Sequence, residues 1–285
     1  MKRTDPTPRW LITGAGGMVG SDMHAALLRR SSDVVALRHS ELDITDSRAV
    51  HAAVLDAHPT ILINCAGYTR VDDAEKDPAA ANAVNGSSVE LLAEAANSAG
   101  AVLVHISSDF VFDGKKTAPY EPSDETAPLS AYGRSKLLGE LAARHAHEHV
   151  IVRTSWLFGA HGPNFVEAIR NQVGKGTDPL RVVEDQRGRP TWTSHLAEAL
   201  IRIVEAGGRG IIHYADEPEC TWYDFACAIV EELGAKIAVK PVSTTEFPRP
   251  AARPAYSVLS TASYETLTGA KPESWSKGLK RHLRA

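Results

Sequence analysis

Tyr132 and Lys136 stand four residues apart, and a phenol paired with an ammonium could deliver a proton to a substrate. Residues at this spacing lie on one face of a helix, so the two side chains would be neighbours. A free phenol has a pKa of about 10, and a nearby ammonium stabilises the phenolate and lowers that pKa. The pair therefore predicts acid catalysis, with Tyr132 as the proton donor and Lys136 as its partner.

Ser108 lies at the carboxyl end of a predicted strand and precedes the helix of Tyr132 in the chain. A hydroxyl at that position can polarise a bound carbonyl group. Alternatively, Ser108 is a turn serine that only ends the strand. The Y-x-x-x-K spacing alone arises easily by chance, so it is the placement of these residues between strand and helix that favours a reaction site.

Gly14, Gly17 and Gly20 form a G-x-x-G-x-x-G pattern between a predicted strand and a predicted helix. Gly14 would allow a tight turn, Gly17 would let the backbone approach a pyrophosphate, and Gly20 would let the helix pack closely on the strand. The helix N-terminus would then face the phosphates. A glycine-rich turn in some other α/β protein is the alternative, but the flanking elements favour dinucleotide binding.

The end of the second predicted strand lacks the acidic residue that commonly binds the adenosine ribose, and Arg38 and His39 stand there instead. A cation at this position suits a 2′-phosphate, which favours NADPH and leaves NADH as the second choice. A surface arginine without a ligand is the alternative. Asp43 could accept a hydrogen bond from the adenine amino group, or could open the helix that follows it.

Short β-branched runs alternate with helical patterns through the first half of the chain. The predicted strands are residues 10–13, 34–37, 61–64, 102–107 and 150–154. The predicted helices are residues 18–30, 47–57, 78–98 and 131–145. Strands this apolar, separated by helices, are typical of an α/β protein with a Rossmann-type, doubly wound parallel sheet that is covered on both faces.

The second half changes character at about residue 159, where loops rich in Gly and Pro surround fewer periodic segments. Its clearest helices are residues 194–205 and 222–233, and its strands are residues 181–184 and 210–214. We therefore expect an NAD(P)-binding domain over residues 1–158 and a smaller, irregular α/β substrate lobe over residues 159–285, with residues 180–206 returning to the first domain. The lobe should close over the carboxyl ends of the strands, where ligands bind.

Composition and charge argue against several classes of function. A formal net charge of −4 with dispersed basic residues gives no footprint for nucleic acid or an anionic membrane, and no apolar run of about 18 residues could span a bilayer. Residues 1–9 read as a polar tail rather than a signal peptide. Three cysteines without a C-x-x-C pair predict reduced thiols in a cytoplasmic protein, and the spacing of the 12 histidines predicts no metal site.

These residues together resemble the extended short-chain dehydrogenase/reductase superfamily and, within it, the dTDP-4-dehydrorhamnose reductase family. The similarity runs over nearly the whole chain, and as a set its motifs are highly specific. Besides the glycine pattern and Y-x-x-x-K, they are residues 42–46, 64–69, 71–75, 105–114 and 153–156, with shorter matches at residues 164–166, 185–186, 190–191, 222–223 and 253–254.

The resemblance implies reduction of the C4 ketone of a dTDP-linked 4-keto-6-deoxy sugar, with NADPH as the cofactor or NADH in its place. A homodimer is left open. The implied cofactor contacts are Gly17, Met18 and Val19 at the pyrophosphate, Asp43 and Ile44 at the adenine side, Ala66, Gly67 and Tyr68 at the nicotinamide half, and Lys136 at the nicotinamide ribose with Tyr132 beside it.

On the substrate side, the resemblance places Ser108, Asp109 and Trp156 against the sugar nucleotide. Relatives tend to carry a tyrosine where this chain has Phe110. The resemblance therefore implies the reaction but not which deoxysugar is reduced. Trp156 and Phe110 would present apolar faces to the deoxygenated side of the sugar.

Two further residues are expected at the diphosphate of the substrate. Asn164 lies near the amino end of a helix that begins at about Phe165, and it could offer donors alongside the free amides of that helix. Arg253 lies in a proline-stiffened loop and could add positive charge, although a surface arginine is an equal alternative.

Two other interpretations remain open. An epimerase or 4,6-dehydratase of the same superfamily would share the fold and the tyrosine, but such dehydratases carry a glutamate where Phe110 stands. A non-catalytic regulatory subunit could keep Tyr132, Lys136 and Ser108 while only binding the dinucleotide. Turnover separates these classes, because a sensor would bind NADPH without oxidising it when offered a 4-keto sugar nucleotide.

Overall fold

The computed structural model describes residues 8–284, so most of the tail predicted over residues 1–9 lies outside the described residues. The strands of the described part are β1 (Arg9–Thr13), β2 (Asp33–Leu37), β3 (Ile61–Asn64), β4 (Val102–Ser108), β5 (His149–Thr154), β6 (Leu157–Phe158), β7 (Leu180–Val183), β8 (Arg187–Gly188), β9 (Thr191–Trp192), β10 (Gly210–His213), β11 (Cys220–Thr221) and β12 (Val239–Val242). Six of them form a parallel sheet in the order β2-β1-β3-β4-β5-β10. The predicted parallel sheet is confirmed.

The helices are α1 (Met18–Arg29), α2 (Ser47–Ala57), α3 (Pro78–Asn82), α4 (Ser88–Ala99), α5 (Ala131–Ala143), α6 (Phe165–Gly174), α7 (Thr193–Glu205), α8 (Trp222–Glu232), α9 (Ala262–Thr268) and α10 (Trp275–Arg284). On one face of the sheet, α1, α7 and α9 bury an apolar cluster that includes Met23 and Leu200. On the other face, α2, α4 and α5 bury a second cluster that includes Val54 and Leu92. Helices on both faces make the sheet doubly wound.

The chain passes from β2 over β1 to β3, so the connections after β1 and β3 leave the sheet in different directions. Such a switch point opens a crevice at the carboxyl ends of the strands. The glycine pattern follows β1, and residues 65–68 follow β3, so both border this crevice. Ser108 ends β4 at the same edge of the sheet.

The helix predicted over residues 78–98 is present as one continuous run of helical backbone, but it is not α-helical throughout. The structure has α3, then a π-helical turn at Ala83–Ser87, then α4. The side chain of Asn85 in this turn accepts from the Tyr68 amide at 2.8 Å and donates to the Tyr68 carbonyl at 2.9 Å. Helical periodicity does not reveal such a turn, because its cause is a contact with a distant loop.

The second lobe is built from α6, α8, α10 and three two-stranded sheets, β6 with β9, β7 with β12, and β8 with β11. Its core includes Phe158, Ile169 and Phe225. Two segments differ from the expected division of the chain. Residues 210–213, expected in this lobe, form the edge strand of the large sheet, and residues 180–183, expected in the first domain, pair with β12 in the second lobe. No helix among the described residues is long and apolar enough to cross a membrane.

Candidate active site

Ser108 and Tyr132 meet at the carboxyl edge of the sheet. Ser108 is the last residue of β4, and Tyr132 lies in the first turn of α5, whose N-cap Ser130 accepts from the Gly133 amide at 3.1 Å. A Cβ on Gly133 would lie 2.3 Å from the carbonyl oxygen of Phe110. Only glycine lets the start of α5 approach the turn after β4 so closely, and this approach brings Tyr132 to the end of the strand that carries Ser108.

Burial raises the pKa of Tyr132 to about 12, while the neighbouring Ser108 hydroxyl acts in the other direction and the negative charge of Asp109 adds to the rise. The sequence predicted the opposite direction, a pKa lowered by Lys136. In this structure the Lys136 ammonium donates to the Ile106 carbonyl at 2.6 Å instead. A phenol with this pKa is protonated at neutral pH, as a proton donor must be.

Lys136 is 7% exposed, and burial lowers its pKa to about 8, with the carboxylate of Glu140 acting in the other direction. Glu140 is itself fully buried and receives hydrogen bonds from Arg153 at 2.8 and 2.7 Å and from Ser107 at 2.6 Å. This buried ion pair was not predicted, because its partners come from α5, β4 and β5. The ion pair, with Ser107, joins α5, which carries Lys136, to β4, whose last residue is Ser108.

Asp109 is almost completely buried next to Ser108, whose hydroxyl donates to Asp109 Oδ1 at 2.9 Å. Burial raises the pKa of Asp109 to about 6, against the bonds from Ser257 and Ser108. Within residues 8–284, its Oδ2 has no hydrogen-bond partner. A buried acceptor of this kind suits a ligand hydroxyl.

A cleft of about 530 Å³ lies at the switch point of the sheet, between the loops that follow β1, β2 and β3. Its wall includes Gly14, Gly17, Arg38, Asp43, Ile44, Ala66, Gly67 and Tyr68, which were all predicted as cofactor contacts. Eight of the sequence-predicted cofactor residues are therefore brought together around one cleft. The other five, Met18, Val19, Gly20, Tyr132 and Lys136, are not among its lining residues, and the individual contacts of all thirteen with the cofactor stay predictions.

The three glycines of the pattern have different reasons to be glycine. Gly14 has a φ of +66°, and a Cβ on it would lie 2.5 Å from the Ala66 amide nitrogen. A Cβ on Gly20 would lie 2.3 Å from the Gly14 carbonyl oxygen. Gly17 meets no such obstacle, since its nearest neighbour would be 3.4 Å away, so its missing side chain leaves room on the cleft side.

The N-terminus of α1 suits a pyrophosphate. Gly17 is its N-cap, no side chain caps it, and its first turn holds no acidic residue. The amides at Met18 and Val19 therefore start a helix whose positive end is available to an anion. The residues present fit a dinucleotide.

Arg38 packs its side chain over Gly16, with its Cγ 3.6 Å from where a Cβ of Gly16 would be. Among the described residues, its guanidinium has no hydrogen-bond or ion-pair partner, and it lines the cleft. Asp43 accepts from the amide and hydroxyl of Thr45 at 2.9 and 2.8 Å, bonds that lower its pKa. The N-cap of α2 is Asp46, so the alternative role of Asp43 as helix opener is wrong.

A second cavity, of about 410 Å³, is lined by Phe110, which contacts Tyr132, and by residues of the second lobe, and we call it the aromatic cavity. Its aromatic lining is Phe110, Trp156, Phe165, Trp222 and Phe247, and its cationic lining is Arg181, Arg249 and Arg253. Apolar walls with a few charged groups are typical of a small-molecule site.

Trp156 is held in an unusual backbone conformation, with a φ of +48°. Its indole stacks on Trp222 with ring centroids 3.6 Å apart, and a Cβ on Gly188 would lie only 2.5 Å from that indole. Left-handed backbone is costly for a bulky residue and persists where its surroundings enforce it. The predicted substrate residue Trp156 therefore lies in the cavity, together with Trp222, which the sequence analysis placed in a family match but did not assign to the substrate.

Phe110 contacts both Tyr132 and the aromatic cavity. Its ring meets the Tyr132 ring edge-on, with centroids 5.5 Å apart and an angle of 80° between the planes. Tyr132 and Tyr68 both pack against the small cluster of Ala74, Ala81 and Ala131, and Tyr68 lines the cofactor cleft. Tyr132 thus lies between the two cavities.

Asn164 lies where the sequence predicts, as N-cap of α6, but its polar atoms are already engaged. Its Oδ1 accepts from the Glu167 amide at 3.2 Å, and its Nδ2 donates to the carbonyl groups of Gly159 and Gly162 at 2.8 and 3.1 Å. This conformation leaves it no free donor for a diphosphate. Its side chain instead shapes a loop whose Gly162 lies against Met18 at the start of α1.

Arg253 lines the aromatic cavity, as predicted for a substrate residue, and it is not a free surface arginine. Its guanidinium forms an ion pair with Asp72 at 3.0 Å. Among the described residues, no group of three or more His, Cys, Asp and Glu side chains is arranged to hold a metal ion.

Comparison with known proteins adds independent information. The chain matches the family described as RmlD substrate binding domain over residues 8–285. It is 43% identical to a dTDP-4-dehydrorhamnose reductase of Mycobacterium tuberculosis, covering 97% of this chain and 93% of that protein. It is 41% identical to a dTDP-4-keto-6-deoxy-D-glucose reductase of Streptomyces niveus, covering 89% of this chain and 88% of that protein.

A solved structure is similar along nearly its full length. The crystal structure of a dTDP-4-dehydrorhamnose reductase of Bacillus anthracis in complex with NADP matches with a TM-score of 0.93 and 36% identity, covering 98% of this chain and 99% of that one. Both the sequence and the fold are therefore shared with these proteins over almost the whole chain.

Proposed function

The chain belongs to the family described as RmlD substrate binding domain, and from this membership we propose that it reduces the C4 ketone of a 4-keto-6-deoxy sugar carried on thymidine diphosphate. NADPH is the cofactor and supplies the hydride when bound. The observation that carries this proposal is the placement of Tyr132 beside Ser108 at the carboxyl edge of the sheet, between Phe110 of the aromatic cavity and Tyr68 of the cofactor cleft.

The chemistry of the two hydroxyls fits a ketone reduction. Tyr132 can donate to a bound carbonyl oxygen, and Ser108 can do so once its single hydroxyl proton turns from Asp109 to the substrate; both bonds would stabilise the charge that develops on that oxygen. The pKa of the Tyr132 phenol is about 12, and an alkoxide is a much stronger base than the corresponding phenolate. The phenol therefore gives its proton to the alkoxide, which becomes the new hydroxyl group. Asp109, next to Ser108, and Trp156, in the wall of the aromatic cavity, would orient the sugar ring.

The particular deoxysugar is not part of this proposal. The relatives include reductases named for dehydrorhamnose and for 4-keto-6-deoxy-D-glucose, and Phe110 offers no hydroxyl to choose between such sugars. We also propose a cytoplasmic location, which the free thiols of Cys65, Cys220 and Cys227 support, and a homodimer, which would cover the exposed side chains of Leu138 and Leu141 on α5.

The substrate prediction concerns the remote nucleotide. Its binding energy positions the C4 carbonyl, so a free 4-keto hexose is expected to be a far poorer substrate in kcat as well as in KM. The measurement follows NADPH absorbance with the thymidine-linked sugar, the uridine-linked analogue and the free sugar. Equal rates with all three would contradict the role of the nucleotide, whereas no oxidation above background would refute the reductase and favour a regulatory subunit that binds the dinucleotide without turnover.

The cofactor prediction concerns Arg38, whose guanidinium lines the cleft without a protein partner among the described residues. NADPH is expected to be used at least as well as NADH, and Arg38→Ala is expected to narrow any preference by raising KM for NADPH more than KM for NADH. Arg48→Ala, on the exposed surface of α2, is the matched control. A strong preference of the unaltered enzyme for NADH would show that Arg38 does not bind a 2′-phosphate.

A further inference from the structure

Asp72 connects the two halves of the molecule at the mouth of the aromatic cavity. Its Oδ1 accepts from Arg253 Nη1 at 3.0 Å and from the Ala251 amide at 3.2 Å. Its Oδ2 accepts from Arg253 Nη2 at 3.1 Å and from Arg249 Nε and Nη2 at 3.1 and 2.7 Å. Burial by itself would raise the pKa of Asp72, but these bonds lower it to about 2, so the group is a carboxylate at any physiological pH.

The two arginines held by Asp72 are part of the cavity wall. Among the described residues, Arg253 Nε and Arg249 Nη1 have no hydrogen-bond partner, so each guanidinium keeps donors for a ligand. Two cations share one carboxylate here, which leaves an excess of positive charge. Arg181, also in the wall, adds to it, since its nearest acidic group, Glu246, is 3.8 Å away and more than half exposed.

We propose that Asp72 is a positioning residue for the sugar nucleotide: it orients the guanidinium groups of Arg249 and Arg253 so that their remaining N–H groups bind the diphosphate. This inference rests on the proposed function, and it assigns the diphosphate to these arginines, since the donors of Asn164 are already used. Arginine suits the task because its fixed fork can bind a carboxylate on one edge and a phosphate on another.

Without Asp72, the two like charges would repel each other and their long side chains would sample many rotamers. Ordering such a side chain costs conformational entropy, so a carboxylate that orders both arginines before the ligand arrives improves affinity. Asp72 also follows closely on Ala66, Gly67 and Tyr68, which line the cofactor cleft, so the same loop borders both ligand sites.

The competing explanation is that Asp72 only ties the second lobe to the sheet. The two roles differ in what an Asp72→Asn variant would lose. A tie between lobes would change stability and the affinity for every ligand of the cavity, whereas a positioning role changes affinity only for ligands that carry the phosphates.

The test measures binding of thymidine diphosphate and of thymidine by the fluorescence of Trp156 and Trp222, which line the cavity. Asp72→Asn is expected to raise the Kd of thymidine diphosphate by about 10-fold or more, the effect of losing about one charge-assisted hydrogen bond. The Kd of thymidine should change by less than about 2-fold. In turnover, KM for the sugar nucleotide should rise more than kcat falls, with KM for NADPH unchanged. Asp72→Glu, which keeps the carboxylate, should recover part of the lost affinity.

Asp73→Asn is the matched control. It removes the same charge from the next residue, whose carboxylate lies 3.7 Å from Arg70 and 3.5 Å from Lys76 rather than on the arginines of the cavity. It should bind thymidine diphosphate like the unaltered protein. If Asp72→Asn does not fold, the double variant Arg249→Lys, Arg253→Lys keeps both charges without the fork and should show the same selective loss.

Three results would overturn the proposal: no binding of thymidine diphosphate to the unaltered protein, unchanged affinity in Asp72→Asn, or equal losses for thymidine and its diphosphate. Failure of the proposed function looks different. A protein that binds thymidine diphosphate in an Asp72-dependent way, but reduces no keto sugar, would support the positioning role and refute the ketoreductase.

Discussion

Tyr132→Phe is expected to lower kcat by about 10²-fold or more while leaving the affinity for NADPH nearly unchanged. The substitution removes only the hydroxyl, so the ring keeps its edge-on contact with Phe110 and its place between the two cavities. What is lost is the proton that must reach the new alkoxide. A 10²-fold loss corresponds to about 2.7 kcal/mol of transition-state stabilisation.

Steady-state kinetics with the thymidine-linked keto sugar and a fluorescence titration with NADPH measure the two quantities. Tyr120→Phe is the matched control, because it also removes a phenol hydroxyl, one that donates to Asp113 at 2.8 Å away from both cavities. It should cost stability but little turnover. A Tyr132→Phe enzyme with near-normal kcat would refute the assignment of the acid.

Lys136→Ala is expected to reduce both kcat and the affinity for NADPH, in contrast to Tyr132→Phe. Its ammonium is anchored on the Ile106 carbonyl at 2.6 Å, one turn of helix after Tyr132. From there it would hold the nicotinamide ribose and favour the phenolate that remains after proton transfer. Removal should lower kcat by about 10²-fold and raise the Kd of NADPH by about 10-fold.

The pH profile provides a second measurement on Lys136. Burial lowers the pKa of this amine to about 8, so the ammonium is present below that pH and is lost as the pH rises through it. Turnover of the unaltered enzyme should therefore fall above about pH 8, and Lys136→Ala should lack this decline. Lys280→Ala, which removes an exposed amine paired with Glu232 at 3.2 Å, should leave the profile unchanged. If turnover of Lys136→Ala fell in the same way above about pH 8, the Lys136 ammonium could not be the group responsible for the decline.

Much of the fold was predictable because its causes are local. Alternation of apolar strands and amphipathic helices reflects backbone periodicity, and the five strands predicted in the first half all occur. The glycine pattern was also readable, since a tight turn and a close helix require glycine wherever they occur. The helix predicted around Tyr132 and Lys136 is α5, and an i, i+4 spacing places both on one side of it.

Residues far apart in the chain were harder to relate. Residues 210–213 form a short strand, and nothing in its sequence indicates that it pairs with β5. The π-helical turn at Asn85 exists because that side chain binds the main chain of Tyr68, and Trp222 enters the cavity only through its stacking on Trp156. None of these contacts leaves a periodic pattern.

The sequence by itself determined the sheet, the glycine turn and the helical pairing of Tyr132 with Lys136, because spacing along the backbone dictates these. Only the tertiary structure decided where the charges end up. It placed the Lys136 ammonium on a strand carbonyl, committed the donors of Asn164 to its own loop, and joined Arg253 to Asp72. Polar groups take whichever partner the folded chain brings within about 3 Å, and that choice depends on packing between distant segments, not on local spacing.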